Sequence, residues 1–242
     1  MVVGSNSFSG SYVTQALLND GYKVFGLNRS KEVPTCYRTY SRNISNFHFL
    51  SLGSNFNPAR LVELCKLEQI DCIINFAAQS MVSQSWDLPK DWYQTNCVWL
   101  SELVSNLQSW GGLKKFIQFS TPEVYGSTIG WQVENNQFNP STPYAISRAA
   151  GDQHLRAMHL VKKFPVIFIR TANIYGPFQP RYRLIPRLIL NVLEREKLKL
   201  HGGGVSRRSF IFGEDVGRAV LAIMKCGEIG ESYHISTELA LP

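Results

Sequence analysis

Short apolar runs alternate with helix-length amphipathic stretches from the first residue onward, and that alternation predicts parallel βαβ units. Val2-Val3 leads into a glycine-punctuated turn, after which Val13, Ala16 and Leu17 share one face of a helix. Val24 to Leu27 reads as a second strand. A helix at Leu61 to Lys66 precedes Cys72-Ile73-Ile74-Asn75-Phe76, a nearly unbroken apolar run of the kind that parallel sheets bury on both faces. Tyr93, Cys97, Leu100, Val104 and Leu107 recur at steps of four and three, which predicts a long amphipathic helix, and Phe116 to Phe119 supplies the next strand. Tyr144 to Val161 reads as a helix with Ile146, Ala150, Leu155 and Met158 as apolar contacts, and Val166 to Ile169 as a strand.

From Asn173 the regular alternation weakens. Residues 179–204 hold two prolines, one helix at Ile185 to Leu193 and a Gly-Gly-Gly stretch at 202–204, so a smaller lobe is expected there. A helix from Asp215 to Lys225 returns to the main sheet, and Tyr233-His234-Ile235 reads as a last strand. The expectation is a Rossmann-type α/β fold, a doubly wound parallel sheet. Residues 1–172, joined by about 205–225, form the nucleotide-binding domain, and 173–204 with 226–242 form a partial substrate-binding lobe. The short first strand and the stop soon after Ile235 give the further expectation that both ends are clipped.

Composition narrows the classes of partner. With 242 residues, 44% hydrophobic and 18% charged, the chain has enough apolar matter for a sizeable core. Five cysteines without a CxxC pair provide neither a disulfide framework nor zinc-ligand spacing, and the histidines show no ligand spacing, so no metal is expected. No apolar run approaches the roughly 20 residues of a membrane span, and no basic stretch precedes an apolar one at the start. A soluble, cytoplasmic protein with no membrane partner follows. The net charge of +7 is spread thinly outside Lys162-Lys163, without a basic run or a nucleic-acid-binding motif. A small anionic ligand is expected rather than nucleic acid.

The candidate chemistry begins at Gly4-Ser5-Asn6-Ser7-Phe8-Ser9-Gly10, between a strand and a helix. Gly4 makes a tight turn, Gly10 lets the helix approach the strand, and the N–H groups around Phe8 and Ser9 attract a pyrophosphate. Ser7 holds the middle position, where its side chain is expected to crowd the phosphates. After the second strand, Asn28-Arg29-Ser30 has no acid to bind a ribose 2′-hydroxyl, and an arginine beside a serine suits the 2′-phosphate of NADP, with NAD as the alternative. At Ser120-Thr121-Pro122-Glu123-Val124-Tyr125-Gly126 a strand ends in two hydroxyls and a carboxylate.

Together with Asn75-Phe76-Ala77-Ala78-Gln79-Ser80, Ser141-Thr142-Pro143-Tyr144, Asn173-Ile174-Tyr175-Gly176-Pro177 and Arg208-Ser209-Phe210-Ile211, these segments resemble the extended short-chain dehydrogenase/reductase family, in particular its nucleotide-sugar 4,6-dehydratases and epimerases. The resemblance covers nearly the whole chain in order. It implies that Tyr144 is the base at the sugar 4-hydroxyl, Thr121 its hydrogen-bonding partner and Glu123 the base for the C5 proton. It places Arg148 where the motif has lysine, a cation that stabilises a tyrosinate one turn away. Ala77, Ala78, Gln79 and Asn96 are implied beside the cofactor, and Ser80, Asn173, Arg181, Leu184, Asn191 and Arg208 around a nucleotide-diphosphate sugar. A homodimer is implied through the helices of Tyr93 to Leu107 and Tyr144 to Val161, with Trp99 and Met158 sheltered by the partner. Ser7, Gly53, Pro122 and Arg148 depart from the pattern. A 4-epimerase and a catalytically impaired NAD(P)- and nucleotide-sugar-binding protein therefore stand as alternatives to a dehydratase.

Overall fold

The computed structural model describes residues 1–40, 45–53, 57–128, 130–197, 207–238 and 240–241. Its first half contains β1 (Val2–Val3), α1 (Phe8–Asn19), β2 (Val24–Asn28), β3 (Phe47–Ser51), α2 (Pro58–Leu67), β4 (Cys72–Asn75), α3 (Gln84–Asp87), α4 (Pro89–Tyr93), α5 (Leu100–Trp110) and β5 (Lys115–Phe119). The second half contains α6 (Pro143–Lys162), β6 (Val166–Thr171), β7 (Asn173–Tyr175), α7 (Leu184–Leu193), β8 (Arg208–Phe212), α8 (Gly213–Cys226), β9 (Ser232–Ile235) and β10 (Ala240–Leu241). Seven strands form one sheet in the order β3-β2-β1-β4-β5-β6-β9, every pair parallel. A smaller sheet has the order β10-β8-β7.

The unbroken apolar runs are explained by the two-residue period of a strand, which sends neighbours to opposite faces. Ile73, Phe116, Val166 and Phe168 pack with Leu61, Leu103, Leu107 and Leu155 from α2, α5 and α6. Ile74, Ile117, Ile167 and Ile169 pack instead with Val13, Leu17, Val216 and Val220 from α1 and α8. Helices therefore cover both faces, and each fully buried Leu, Ile or Phe contributes about 1.5–3 kcal/mol of burial. Going out from β1, the order climbs through β2 and β3 on one side and jumps to β4 on the other. Such a reversal opens a crevice at the carboxyl ends of the two central strands.

Three expectations need correction. No apolar alternation predicts a strand at Phe47–Ser51, but one lies there at the sheet edge. Its pattern is muted because none of its residues is fully buried. The last strand belongs to the main sheet, paired to β6 from Phe168↔Ser232 to Thr171↔Ile235, and not to the small lobe. Conversely β8 pairs with β7 in the small sheet, so among the described residues of 205–225 it is α8 that returns to the large one. The Gly-Gly-Gly stretch at 202–204 lies outside the described residues.

The long helix expected around Tyr93 to Leu107 is one continuous path with a wider π-type turn at Gln94–Trp99 between α4 and α5. Such turns displace one residue from the usual face. Here the buried residue of the turn is Asn96. No helix among the described residues is long and apolar enough to cross a membrane.

Candidate active site

The carboxyl ends of β1, β2, β4 and β5 gather most of the residues expected to act. Gly4 sits at φ +89°, a conformation that favours glycine, and a Cβ on Gly10 would lie 2.3 Å from the Gly4 carbonyl oxygen. The loop therefore fits only as written. Ser7, at the middle of the loop, has its side chain engaged with the protein itself. It is the N-cap of α1, donating from Oγ to Gly4 O at 2.7 Å and accepting from Gly10 N at 3.0 Å. The N–H groups of Phe8 and Ser9, which have no carbonyl within their own helix, remain for an anion at the positive end of α1. These features fit the pyrophosphate of a dinucleotide.

Asn28 and Ser30 hold this loop in place. Asn28 Nδ2 donates to Ser5 Oγ at 2.7 Å, and its Oδ1 accepts from Asn6 N at 2.9 Å. Asn6 Nδ2 in turn donates to Ser30 Oγ at 3.2 Å and Lys31 O at 2.9 Å. Arg29 is exposed beside them. Gly53, in the turn after β3, has open space around it.

After β4, Ala77, Ala78 and Gln79 are half-buried and Ser80 is exposed. Asn96 is expected at the cofactor, yet its amide serves the protein. Its Oδ1 accepts from Gln79 N at 2.9 Å, and its Nδ2 donates to Gln79 O at 3.1 Å and to Ser147 Oγ at 2.9 Å. The π-type turn thus turns a buried amide inward to fasten the Gln79 loop to α6.

Beyond β5, Thr121 caps a 3-10 turn at Pro122–Tyr125, its Oγ1 accepting from Glu123 N at 3.2 Å. The hydroxyl proton remains for a ligand. Pro122 is the exposed first residue of this turn, where its fixed φ is favourable and its missing N–H is harmless. The turn closes at Gly126 (φ +73°), where a Cβ would meet Asn139 O at 2.1 Å. The Glu123 carboxylate stands between the main sheet and the small lobe, 3.8 Å from Arg208 of β8.

Tyr144 is buried at the start of α6, after the N-cap Thr142. Its N–H donates to Ser85 Oγ at 3.1 Å, and Ser85 donates to Val82 O at 2.6 Å. Arg148, only 4% exposed, directs its guanidinium at the carbonyl of Phe119, the last residue of β5. Burial pushes the Cys97 thiol up from its ordinary value, and the Arg148 charge partly offsets that. Asn173 opens β7, while Arg181, Leu184 and Asn191 lie before and along α7 in the small lobe.

A polar chain that no motif marks lies beneath these groups. Ser120 Oγ donates to Asp152 Oδ2 at 2.6 Å, and Arg170 Nη2 donates to the same oxygen at 2.9 Å. Arg170 is caged by the rings of Tyr125, Phe138 and Phe168, 5.0–5.9 Å from its guanidinium carbon, and Nη1 donates to Tyr125 OH at 3.2 Å. Tyr125 OH is 2.8 Å from His234 Nε2, while His234 Nδ1 lies 3.1 Å from Gln132 O. A carbonyl only accepts, so Nδ1 carries the proton and Nε2 accepts from the tyrosine. Burial lowers the His234 pKa from 6.5, Glu134 opposes this, and the Arg170 charge adds to it. No periodicity separates these buried polar residues from solvated ones.

This architecture and loop set define a nucleotide-binding enzyme of the extended short-chain dehydrogenase/reductase type. The sequence profile of the NAD dependent epimerase/dehydratase family matches residues 1–236, and the chain belongs to that family. More particularly, it is a homologue of the dTDP-glucose 4,6-dehydratases. It is 30% identical over 252 residues to dTDP-D-glucose 4,6-dehydratase of Mus musculus, covering 100% of this chain and 68% of the mouse protein. A crystal structure of dTDP-glucose 4,6-dehydratase from Bacillus anthracis in complex with NAD superposes with a TM-score of 0.86 at 28% identity, over 99% of this chain and 75% of that one. UDP-glucuronic acid 4-epimerase from Bacillus cereus, in complex with UDP-glucuronic acid and NAD, gives a TM-score of 0.86 at 28% identity, over 99% and 78%.

Proposed function

We propose that the protein is an NAD(P)-dependent nucleotide-sugar 4,6-dehydratase. The observation that carries this reading is Glu123 on the capped turn beside Thr121, facing the small lobe through Arg208. A bound nicotinamide supplies a reversible hydride acceptor. Tyr144 takes the proton of the sugar 4-hydroxyl, and Thr121 donates its free hydroxyl proton to the same oxygen. Glu123 then removes the C5 proton, which the 4-keto group acidifies. The C5–H electron pair becomes the C5=C6 double bond as the C6–O bond breaks. Pro122 has no proton to give, so the newly protonated Glu123 is the acid for the departing 6-hydroxyl, which leaves as water. The hydride given up by C4 would return to C6, C5 takes a proton from water, and Tyr144 releases to water the proton it took from the 4-hydroxyl, which leaves the 4-keto-6-deoxy product and restores both side chains.

Arg208 supports this order of events. Its ion pair with Glu123 is partly exposed and long, so a substrate diphosphate competes for the guanidinium and releases the carboxylate. The test is incubation with dTDP-, UDP- and GDP-sugars, read by mass spectrometry and NMR. Loss of one water supports dehydration. Inversion at C4 without water loss selects the 4-epimerase, which needs no C5 base. Cofactor binding without turnover selects the impaired binding protein.

Arg29, exposed beside Ser30, favours the 2′-phosphate of NADP over NAD, because a guanidinium binds phosphate through two parallel hydrogen bonds. By calorimetry, NADP is expected to bind more tightly, and Arg29→Ala is expected to erase the difference. Equal or tighter binding of NAD by the parent protein refutes this preference. The five free thiols suit a reducing, cytoplasmic setting.

A homodimer is proposed through the surface of α3 to α6. Trp99 and Met158 are half-buried against this chain's own core, and a partner would shelter what remains exposed of each. Exposed apolar groups on this surface include Trp86, Leu88, Tyr93, Val98, Ile146, Leu160 and Val161. Light scattering at micromolar concentration is expected to show a dimer that Val98→Asp with Ile146→Asp converts to monomer. A parent monomer sinks the proposal.

A further inference from the structure

Ser120, Asp152 and Arg170 lie under the candidate site and tie its two halves together. The last hydrogen bond between the ends of β5 and β6 is Ser120 N to Ile169 O at 2.7 Å, so Thr121 and Glu123 lie beyond the sheet ladder. Val124 and Tyr125 pack on Ala149 of α6, and side-chain hydrogen bonds add direction to that apolar contact. Ser120 donates to Asp152, which stands about two turns after Tyr144 on the same helix. Arg170 links that carboxylate to Tyr125, at the far end of the turn that carries Glu123. Both Asp152 and Arg170 are 1% exposed at the side chain. A buried ion pair gains little stability over an apolar pair of the same volume. What it adds is fixed direction.

We infer that Ser120, Asp152 and Arg170 are positioning residues: they hold Thr121 and Glu123 against Tyr144, so that proton transfers at two adjacent regions of one sugar are served from a single bound pose. The kinetic part of this inference rests on the dehydratase reading; the structural part does not.

Ser120→Ala removes one buried hydroxyl and leaves the ion pair intact. In hydrogen exchange followed by mass spectrometry, the variant is expected to exchange faster in peptides spanning 120–126 and 143–152 together, with α1 and α2 unchanged. Acceleration in only one of the two segments, or in neither, overturns the inference whether or not the protein turns over sugar. With dTDP-glucose or UDP-glucose as substrate, kcat is expected to fall at least about tenfold, with KM and NAD(P) affinity unchanged. Val220→Ala, a core truncation between α1 and α8, supplies the control: it lowers the melting temperature and keeps kcat. Parental kcat in Ser120→Ala also overturns the inference. If the parent protein is inert with these sugars, the dehydratase reading fails, and the exchange result alone decides the positioning role.

Discussion

Tyr144→Phe is expected to lower turnover of a nucleotide-sugar by about 10²- to 10⁴-fold, the range of a lost acid–base group, while NAD(P) affinity stays near that of the parent. The substitution deletes one oxygen from a side chain whose backbone is already held by Ser85 and whose helix is capped by Thr142. Glu123→Gln is expected to act at a different stage. It keeps the shape of the turn and the Thr121 cap, so the first oxidation proceeds and reduced cofactor accumulates, seen in its near-ultraviolet absorbance. Water loss stops because the amide cannot take the C5 proton. Arg148→Lys is expected to keep turnover, since the charge remains on the same helical turn. Arg148→Met is expected to lose most of it, since it removes the cation and leaves the Phe119 carbonyl without its guanidinium partner. Equal activity in parent and Tyr144→Phe defeats the assignment of the base. Water loss by Glu123→Gln defeats that of the carboxylate.

Asp152→Ala is expected to destabilise the fold by roughly 3–5 kcal/mol, because it strands the Arg170 guanidinium in a site that water does not reach. For a chain of this length that corresponds to a fall in melting temperature on the order of 10 °C. The double variant Asp152→Leu with Arg170→Met is expected to regain most of the loss, since it removes both charges. Thermal unfolding of the three proteins checks the order, and a single variant as stable as the parent refutes it. The same network gives a pH dependence. The His234 pKa is depressed in the folded protein, so the unfolded chain binds the proton first as pH falls through the ordinary value of 6.5. Stability is therefore full above that pH and declines on acidification. His234→Asn is expected to flatten that slope in denaturant titrations at pH 7 and pH 5.5.

The sequence alone determined the alternation of the central strands and helices of the main sheet, because burial on both faces of a parallel sheet leaves apolar runs that no solvated segment shows. Cys72–Asn75 and Val166–Thr171 are the clearest cases. It also determined the glycine loop, where positive φ and a contact too close for a Cβ admit only one residue type. Thr121, Glu123 and Tyr144 were singled out only through the resemblance of their segments to a known family, since a hydroxyl, a carboxylate and a phenol at a strand end or helix start are otherwise ordinary capping or surface residues. The tertiary structure decided the rest. The edge strand Phe47–Ser51 is half-buried, so its pattern is weak. The π-type turn at Gln94–Trp99 changes which residue faces inward, and thereby assigns Asn96 to the Gln79 loop. Ser85, Asp152, Arg170 and His234 read in sequence as ordinary polar residues. Their roles arise from partners 18 to 109 positions away, and a local pattern carries no record of which distant group desolvates a charge or accepts its hydrogen bond.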